Sequence, residues 1–339
     1  MSNKENDGPK RILTGDRPTG KLHLGHYVGS LKNRVKLQNK YETFLIIADV
    51  QALTTNFESP DKISQDVRQV AMDYLAVGID PEKTTILIQS MIPEIAELTV
   101  YYSMIVTVNQ LKRNPTIKSE SEQYGYDDMS YGFLGYPVSQ AADITFCKAD
   151  LVPVGEDQLP HIEQTRHIVR KFNNLYGEVF PEPEALVGDF PRLSGLDGKN
   201  KMSKSLNNAI FLSDSAETVK EKINKAVTDP ARIKIDDPGH PEVCTVFEYH
   251  QAFNEENADE IEKKCRAGEI GCVACKNRLT NTINELLEPM RERRVKYEKN
   301  PELVDEILYT GTKRARKIAK ETMKETKEVM NLDYFSNKN

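Results

Sequence analysis

Short apolar runs alternate with helix-like patterns through the first two-thirds of the chain. Residues 11–15, 43–48, 84–89 and 151–155 read as strands. Between the second and third lies a well-marked helix. Ser59 can cap it, Pro60 suits its first turn, and Gly78 ends it. Ile63, Val67, Val70, Ala71 and Tyr74 form its apolar stripe. Strands alternating with helices predict an α/β fold with a doubly wound parallel sheet. Residues 112–128 break the pattern: they are polar, contain Pro115, and read as a mobile surface loop. Beyond residue 213 the strand pattern stops. Residues 216–227, 258–267, 273–298 and 302–330 read as helices. The shift predicts two domains, residues 1–212 with a helical insertion around 90–145, and an all-helical domain over residues 213–339.

The 339 residues suit about two domains, and 38% hydrophobic with 29% charged residues suits a globular protein in water. No apolar run is long enough to span a membrane, and the first eleven residues lack the apolar core of a signal peptide. A cytoplasmic protein with no membrane or DNA partner is expected. The net charge of −6 argues weakly against a nucleic-acid partner. Its distribution matters more. Lys313, Arg314, Arg316, Lys317, Lys320, Lys324 and Lys327 form one basic stretch; Arg291, Arg293, Arg294, Lys296 and Lys299 form another. Solvated helix faces and a phosphate-binding surface both fit these stretches.

Three short segments carry chemistry. Pro18-Thr19-Gly20-Lys21-Leu22-His23-Leu24-Gly25-His26 follows the first strand and opens a helix. Backbone N–H groups at such a helix start favour a phosphate. Gly25 lets a flat base or ribose approach the backbone, and His23 and His26 share one helical face. The plain alternative is a capped helix with two surface histidines. Lys201-Met202-Ser203-Lys204-Ser205 follows a flexible stretch at 194–200. Its ammonium and hydroxyl groups can close over a triphosphate, where charge grows on a leaving pyrophosphate. An ordinary basic surface loop is the alternative. Gly155-Glu156-Asp157-Gln158 ends a strand, where ligands bind in open α/β sheets. It also fits a turn in which Asp157 caps the next helix through Arg166.

Taken together, these segments resemble the class I aminoacyl-tRNA synthetases. His23-Leu24-Gly25-His26 is similar to their H-I-G-H signature, with Leu24 for isoleucine, and Lys201 to Ser205 matches K-M-S-K-S throughout. Pro153 to Gln158, His161 to Arg166 and Tyr136 to Ile144 are similar to the tryptophanyl-tRNA synthetase family. The resemblance implies a Rossmann-like catalytic domain, a helical anticodon-binding domain and a homodimer. It implies ATP with Mg²⁺, L-tryptophan and tRNA(Trp) as reaction partners. His23, His26, Lys201 and Lys204 would be catalytic. ATP would meet Arg17, Pro18, Thr19, Gly25 and His26 on one side. On the other it would meet Gly155, Glu156, Asp157, Arg192, Lys201, Met202, Ser203, Lys204 and Ser205. Lys118 would reach the phosphates from its loop.

Tryptophan would sit among Leu13, Gly15, Val152 and Val154, with Ala48 beside it, and with Asp143, Gln140 and Gln158 as polar contacts. Asp143 would accept the indole N–H, and Gln140 or Gln158 would hold the α-amino group. Tyrosyl-tRNA synthetases are the close rival, but they offer a tyrosine from the first strand where Leu13 stands. Gln140 replaces a methionine and Gln51 a histidine common in tryptophanyl enzymes. A non-catalytic RNA-binding relative and an adenylyl transferase of another kind fit the intact signatures and long helical tail less well.

Of the five cysteines, Cys147 reads as a buried thiol. Cys244, Cys265, Cys272 and Cys275 lie in the helical part, and reduced conditions make disulfides rare. Their spacing suggests Zn²⁺ or an iron–sulfur cluster, with plain thiols as the third option. Some tryptophanyl enzymes carry a [4Fe–4S] cluster with similar spacing, so the resemblance favours the cluster.

Overall fold

The computed structural model describes residues 8–126, 128–187, 193–204 and 206–334, with the side chain of Asp157 left out. Strand β1 (Arg11–Asp16) leads into α1 (Leu24–His26), a π-helical turn at Tyr27–Leu31 and α2 (Lys32–Leu37). Next come β2 (Glu42–Ile47), α3 (Asp49–Asn56), α4 (Pro60–Val77) and β3 (Thr84–Ile88). Four helices follow: α5 (Pro93–Ser103), α6 (Val108–Arg113), α7 (Pro115–Tyr124) and α8 (Tyr131–Thr145). Then β4 (Leu151–Val154), α9 (Leu159–Tyr176) and β5 (Glu184–Val187) complete the sheet. The rest is helical: α10 (Ala216–Lys225), α11 (Thr245–Phe253), α12 (Glu255–Arg266), α13 (Cys272–Glu298) and α14 (Pro301–Val329).

The strands pair in parallel in the order β3-β2-β1-β4-β5. This is the doubly wound sheet the alternation predicts. The strand order turns back at β1, which has β2 on one side and β4 on the other. The sheet's period of two sorts β2 between two cores. Phe44 and Ile46 pack with α5, α8 and α9, whereas Leu45 and Ile47 pack with α4 and the C-terminal helices. The core behind α4 runs unbroken into the helical region, through Ile223, Phe247, Leu279 and Ile283.

The stripe expected on α4 is buried at every position, and Gly78 closes the helix at φ 105°. Ser59 holds the N-cap position without a side-chain cap bond. The loop expected at 112–128 is instead largely helical. Thr107 and Gln110 form a capping box for α6. Asn114 caps Thr116 N–H, Pro115 takes the first turn of α7, and Gly125 ends it at φ 67°. These polar residues are helix punctuation, and Ile117 anchors α7 in the core. Strand β5 and helix α11 were not expected. β5 is only four residues long and half-exposed, too short to show an alternating signal.

The C-terminal helix α14 closes the β3 edge. Ile88 N–H, which faces no strand, donates to Thr312 Oγ1 at 3.1 Å. Gly311 lets the helix press on the strand: a Cβ there would stand 2.1 Å from the Ile86 carbonyl oxygen. That atom is backbone and cannot swing aside. Gly311→Ala should cost about 1–3 kcal/mol by overpacking, read as a lowered Tm; an unchanged Tm would show that α14 is not tightly docked.

Candidate active site

A cavity of about 470 Å³ opens at the carboxyl ends of β1 and β4, where the strand order reverses. Leu13, Ile46, Ala48, Ile144, Val152 and Val154 give it an apolar section. Gly15 forms part of its floor. It must be glycine, because a Cβ would meet the Ile46 carbonyl oxygen at 1.9 Å. Asp143, Gln140, Gln51, Tyr136, Gln158 and Glu120 supply polar atoms. Arg17, Thr19, His26 and Lys201 form a cationic and hydrogen-bonding rim.

Asp143 is 3% exposed and held from two sides. The Gln51 amide donates to Oδ2 at 2.5 Å, and the Gln89 amide to Oδ1 at 2.8 Å. Burial pushes its pKa up to about 8 against these two donors. The Gln89 amide also reaches Oδ2 at 2.9 Å, so it is Oδ1 that keeps a lone pair for a further donor. The Tyr136 hydroxyl bonds His161 Nε2 at 2.9 Å, and burial raises its pKa.

Beneath the rim sits a buried cluster. Asp16 Oδ2 accepts from Arg34 Nη1 at 2.6 Å and from the Tyr74 hydroxyl at 2.7 Å, while Arg34 Nη2 donates to the Gly15 carbonyl. Burial alone would raise Asp16, but the Arg34 guanidinium, with His26 nearby, holds it down to about 2. The site therefore keeps a fixed carboxylate below the histidines.

The two signature segments touch each other directly. His23 precedes α1 and its backbone N–H donates to His26 Nδ1 at 3.2 Å; the two rings lie 3.8 Å apart. The π-helical turn that follows is a local irregularity of the kind that gathers at functional sites. Gly25 N–H points at Met202 Sδ, 3.3 Å away, so Met202 covers the glycine's open face. Lys204 Nζ donates to the Gly20 carbonyl at 2.6 Å. Ser203 N–H donates to Asn208 Oδ1. Burial, then the neighbouring His26, Lys204 and Lys201, lowers His23 to about 2. Burial lowers His26 to about 4, with Asp16 opposing. Both imidazoles are neutral at pH 7, so they act on an anion as N–H donors and not as charges.

Among the described residues, the cavity brings together Leu13, Gly15, Arg17, Thr19, His26, Gln140, Asp143, Val152, Val154, Gly155, Gln158 and Lys201 of those expected. Pro18, His23, Gly25, Glu156, Met202, Ser203 and Lys204 do not line it, and Lys118 is exposed on α7. Arg192, Ser205 and the Asp157 side chain lie outside the described residues. Arg166, suggested as Asp157's partner, pairs with Glu163 and Glu182. Sequence reasoning missed Asp16, Arg34 and Tyr74, and the roles of Gln51 and Gln89 in holding Asp143. A charged residue in an otherwise apolar helix stripe was the one available signal for such a cluster.

Cys147 is buried, as expected. Cys244, Cys265, Cys272 and Cys275 converge: all four line one pocket of about 20 Å³, with Arg232 Nη1 at 3.8 Å from Cys265 Sγ and 3.9 Å from Cys272 Sγ. Among the described residues, however, no group of three or more His, Cys, Asp or Glu is set as a metal-ion site. The basic stretch at 291–299 is not a fully solvated face: Arg291 bonds the Asp214 carbonyl and Asn284, and Arg293 the Ala76 carbonyl. Arg294 is 3% exposed and paired with buried Asp73. On α14, Arg316 and Lys327 pair with Glu94 and Glu97, while Lys313, Lys317 and Lys320 face solvent.

The two histidines bind protons less readily folded than unfolded, where the ordinary value is 6.5. The unfolded chain thus gains protons first as pH falls. Their contribution to stability is complete above about pH 6.5 and is lost as pH drops toward about 4. Thermal unfolding across that range should show this slope in the natural protein and a shallower one in a His23→Asn/His26→Asn variant. Equal slopes would refute the neutral-imidazole arrangement.

The family model for class I tRNA synthetases (W and Y) matches residues 4–288. The tryptophan–tRNA ligase of Clostridium longisporum is 52% identical over 334 residues, covering 96% of this chain and 98% of that protein. That of Lactococcus lactis subsp. lactis (strain IL1403) is 50% identical over 335 residues, with the same coverage. Among solved structures, tryptophanyl-tRNA synthetase from Campylobacter jejuni, complexed with ADP and tryptophan, superposes with a TM-score of 0.85 at 35% identity. It covers 95% of this chain and 100% of that one. Tyrosyl-tRNA synthetase from Archaeoglobus fulgidus shares the fold, with a TM-score of 0.67 at 22% identity over 84% of this chain and 90% of its own. The chain belongs to the class I tRNA synthetases for tryptophan and tyrosine, within the tryptophan–tRNA ligases.

Proposed function

We propose that the cavity at the β1–β4 reversal activates L-tryptophan with ATP and passes it to tRNA(Trp). The observation that carries the reading is Asp143: a buried carboxyl group fixed by two glutamine amides at one end of an apolar box, with His26, Lys201 and Thr19 at the other. Asp143 accepts the indole N–H, and Leu13, Val152 and Val154 enclose the rings. Leu13 gives a phenol hydroxyl no polar partner of the kind a tyrosine site needs. Gln140, Gln158 and Tyr136 line the same cavity where an α-ammonium group would lie.

In the first step a carboxylate oxygen of tryptophan attacks the α-phosphorus of ATP, and the bond to pyrophosphate breaks. In the second, a terminal ribose hydroxyl of the tRNA attacks the acyl carbon and AMP leaves. Positioning and charge neutralisation carry this chemistry. His26 and His23 act as neutral donors near the nucleotide, with Gly25 and Met202 beside them, and Arg17, Pro18 and Thr19 shape the phosphate side. Gly155, Glu156 and Asp157 serve the ribose and adenine. Lys201 and Lys204 stabilise the departing pyrophosphate, and the same reading counts Arg192, Ser203 and Ser205 among the ATP contacts. Lys204 must first leave the Gly20 carbonyl, so the loop moves during the cycle. Mg²⁺ bound to the triphosphate oxygens supplies further neutralisation.

The same reading assigns residues 1–212 to catalysis and 213–339 to the tRNA anticodon, in the cytoplasm where charged tRNA is used. The exposed Lys313, Lys317 and Lys320 suit RNA phosphates. Met91, Val100, Met104 and Val108 expose apolar surface on and beside α5 and α6, which supports a homodimer there. A [4Fe–4S] cluster on Cys244, Cys265, Cys272 and Cys275 is supported by their convergence on one pocket beside cationic Arg232. Cys244, Cys265, Cys272 and Cys275 would hold the cluster through their thiolates. The cluster would order this part of the helical region.

Pyrophosphate exchange into ATP should depend on tryptophan and not on tyrosine. Asp143→Ala should raise the KM for tryptophan at least about tenfold with the KM for ATP little changed; tyrosine-dependent exchange would overturn the specificity. Anaerobically purified protein should contain iron and acid-labile sulfide, and the absence of both would dismiss the cluster.

A further inference from the structure

One link between the helical region and the signature histidines is polar and buried. Arg294, on α13, is 3% exposed, and Asp73, on α4, is fully buried. Arg294 Nη1 donates to Asp73 Oδ1, and its Nη2 to Gln69 Oε1 at 2.6 Å. The other Asp73 oxygen, Oδ2, accepts from the Leu22 backbone N–H at 2.7 Å. Leu22 immediately precedes His23. The next residue along α13's grip, Arg293, donates from Nε to the Ala76 carbonyl at 2.6 Å, again on α4.

Leu22 and Leu24 are packed in the core, and the segment's other backbone hydrogen bonds to distant residues, among those described, lie along one flank. Leu212 N–H donates to the Leu22 carbonyl at 3.0 Å, Leu24 N–H to the Ile210 carbonyl at 2.9 Å, and His23 bridges Phe211. That flank belongs to the stretch just after Lys201–Lys204, the part that must move. Asp73 supplies a restraint from α4. A buried ion pair is by itself weak evidence for a stabilising role. What the ions add is direction: a guanidinium held on several sides fixes where the carboxylate points.

We propose that Arg294 and Asp73 are positioning residues, through which the helical region sets the placement of Leu22 and hence of His23 in the ATP site. A shift of α13 moves Asp73 Oδ1 with it, and Oδ2 carries the Leu22 N–H along. The inference rests on the reading of His23 as part of the ATP site.

The test measures tryptophan-dependent pyrophosphate exchange per folded site, counted by single-turnover adenylate formation, for Arg294→Met, Arg294→Lys and Asp73→Asn. Arg294→Met and Asp73→Asn should each lower kcat at least about tenfold while the KM for tryptophan stays within about twofold. Arg294→Lys keeps the charge but not the fork, and should leave kcat clearly lowered, between the natural value and that of Arg294→Met. A pair that only stabilises the fold would lower the number of active sites and leave kcat per site intact in all three, which overturns the proposal. If Arg294→Met does not fold, Arg294→Lys and Asp73→Asn carry the comparison, and natural kcat in both overturns it. His23→Asn in the same series separates the two readings. Undiminished exchange in that variant defeats the site assignment, whereas a dead His23→Asn beside fully active Arg294 variants defeats this inference alone.

Discussion

Strand β1 has neighbours on both sides, and the chain leaves it toward β2 in one direction and returns to it through β4 from the other. No crossover can cover the carboxyl end of β1 without crossing itself, so a crevice remains there. Gly15 deepens it by letting β1 lie against the Ile46 carbonyl with no side chain between. Everything chemical in the molecule is placed relative to that crevice. The segment after β1 brings His26 and Arg17, the end of β4 brings Val154 and Gly155, and α8 crosses one side with Asp143 and Gln140.

Two kinds of polar environment meet in this one cavity. At the amino-acid end, burial works against charge, and two glutamine amides hold Asp143 as an acceptor amid hydrocarbon. At the phosphate end, lysines and an arginine crowd around histidines that burial keeps neutral. An added anion is welcome there because the cations are already close and only partly compensated. Asp16 supplies that partial compensation, locked in place by Arg34 and Tyr74. The arrangement keeps the loop lysines near the site before nucleotide arrives, at the cost of occupying the Gly25 face with Met202.

Among the described residues the helical region shares its apolar interior with the catalytic half. The core behind α4 passes into α13 without a break, and α14 seals the β3 edge through Gly311 and Thr312. An edge strand covered in this way offers no template for pairing with another chain. Contact that close makes the orientation of the C-terminal helices part of the catalytic half's geometry.

The amino-acid sequence by itself determined the strands β1 to β4, the buried stripe of α4 and the two signature segments, because each is a local pattern: a period, a cap, or a run of neighbours. It also marked Asp143 and the apolar residues at the ends of β1 and β4. It misread 112–128, since polar helix caps and loop residues share one composition and only the anchoring of Ile117 separates them. Tertiary structure alone decided that Gln51 and Gln89, 38 positions apart, meet on one carboxylate. It also decided that Asp16, Arg34 and Tyr74 form one cluster, and that Arg294 leaves its basic stretch to pair with Asp73, 221 positions away. The physical reason is the same in each case. A charge takes its meaning from what is buried beside it, and burial is settled by packing between distant segments, which no local pattern records.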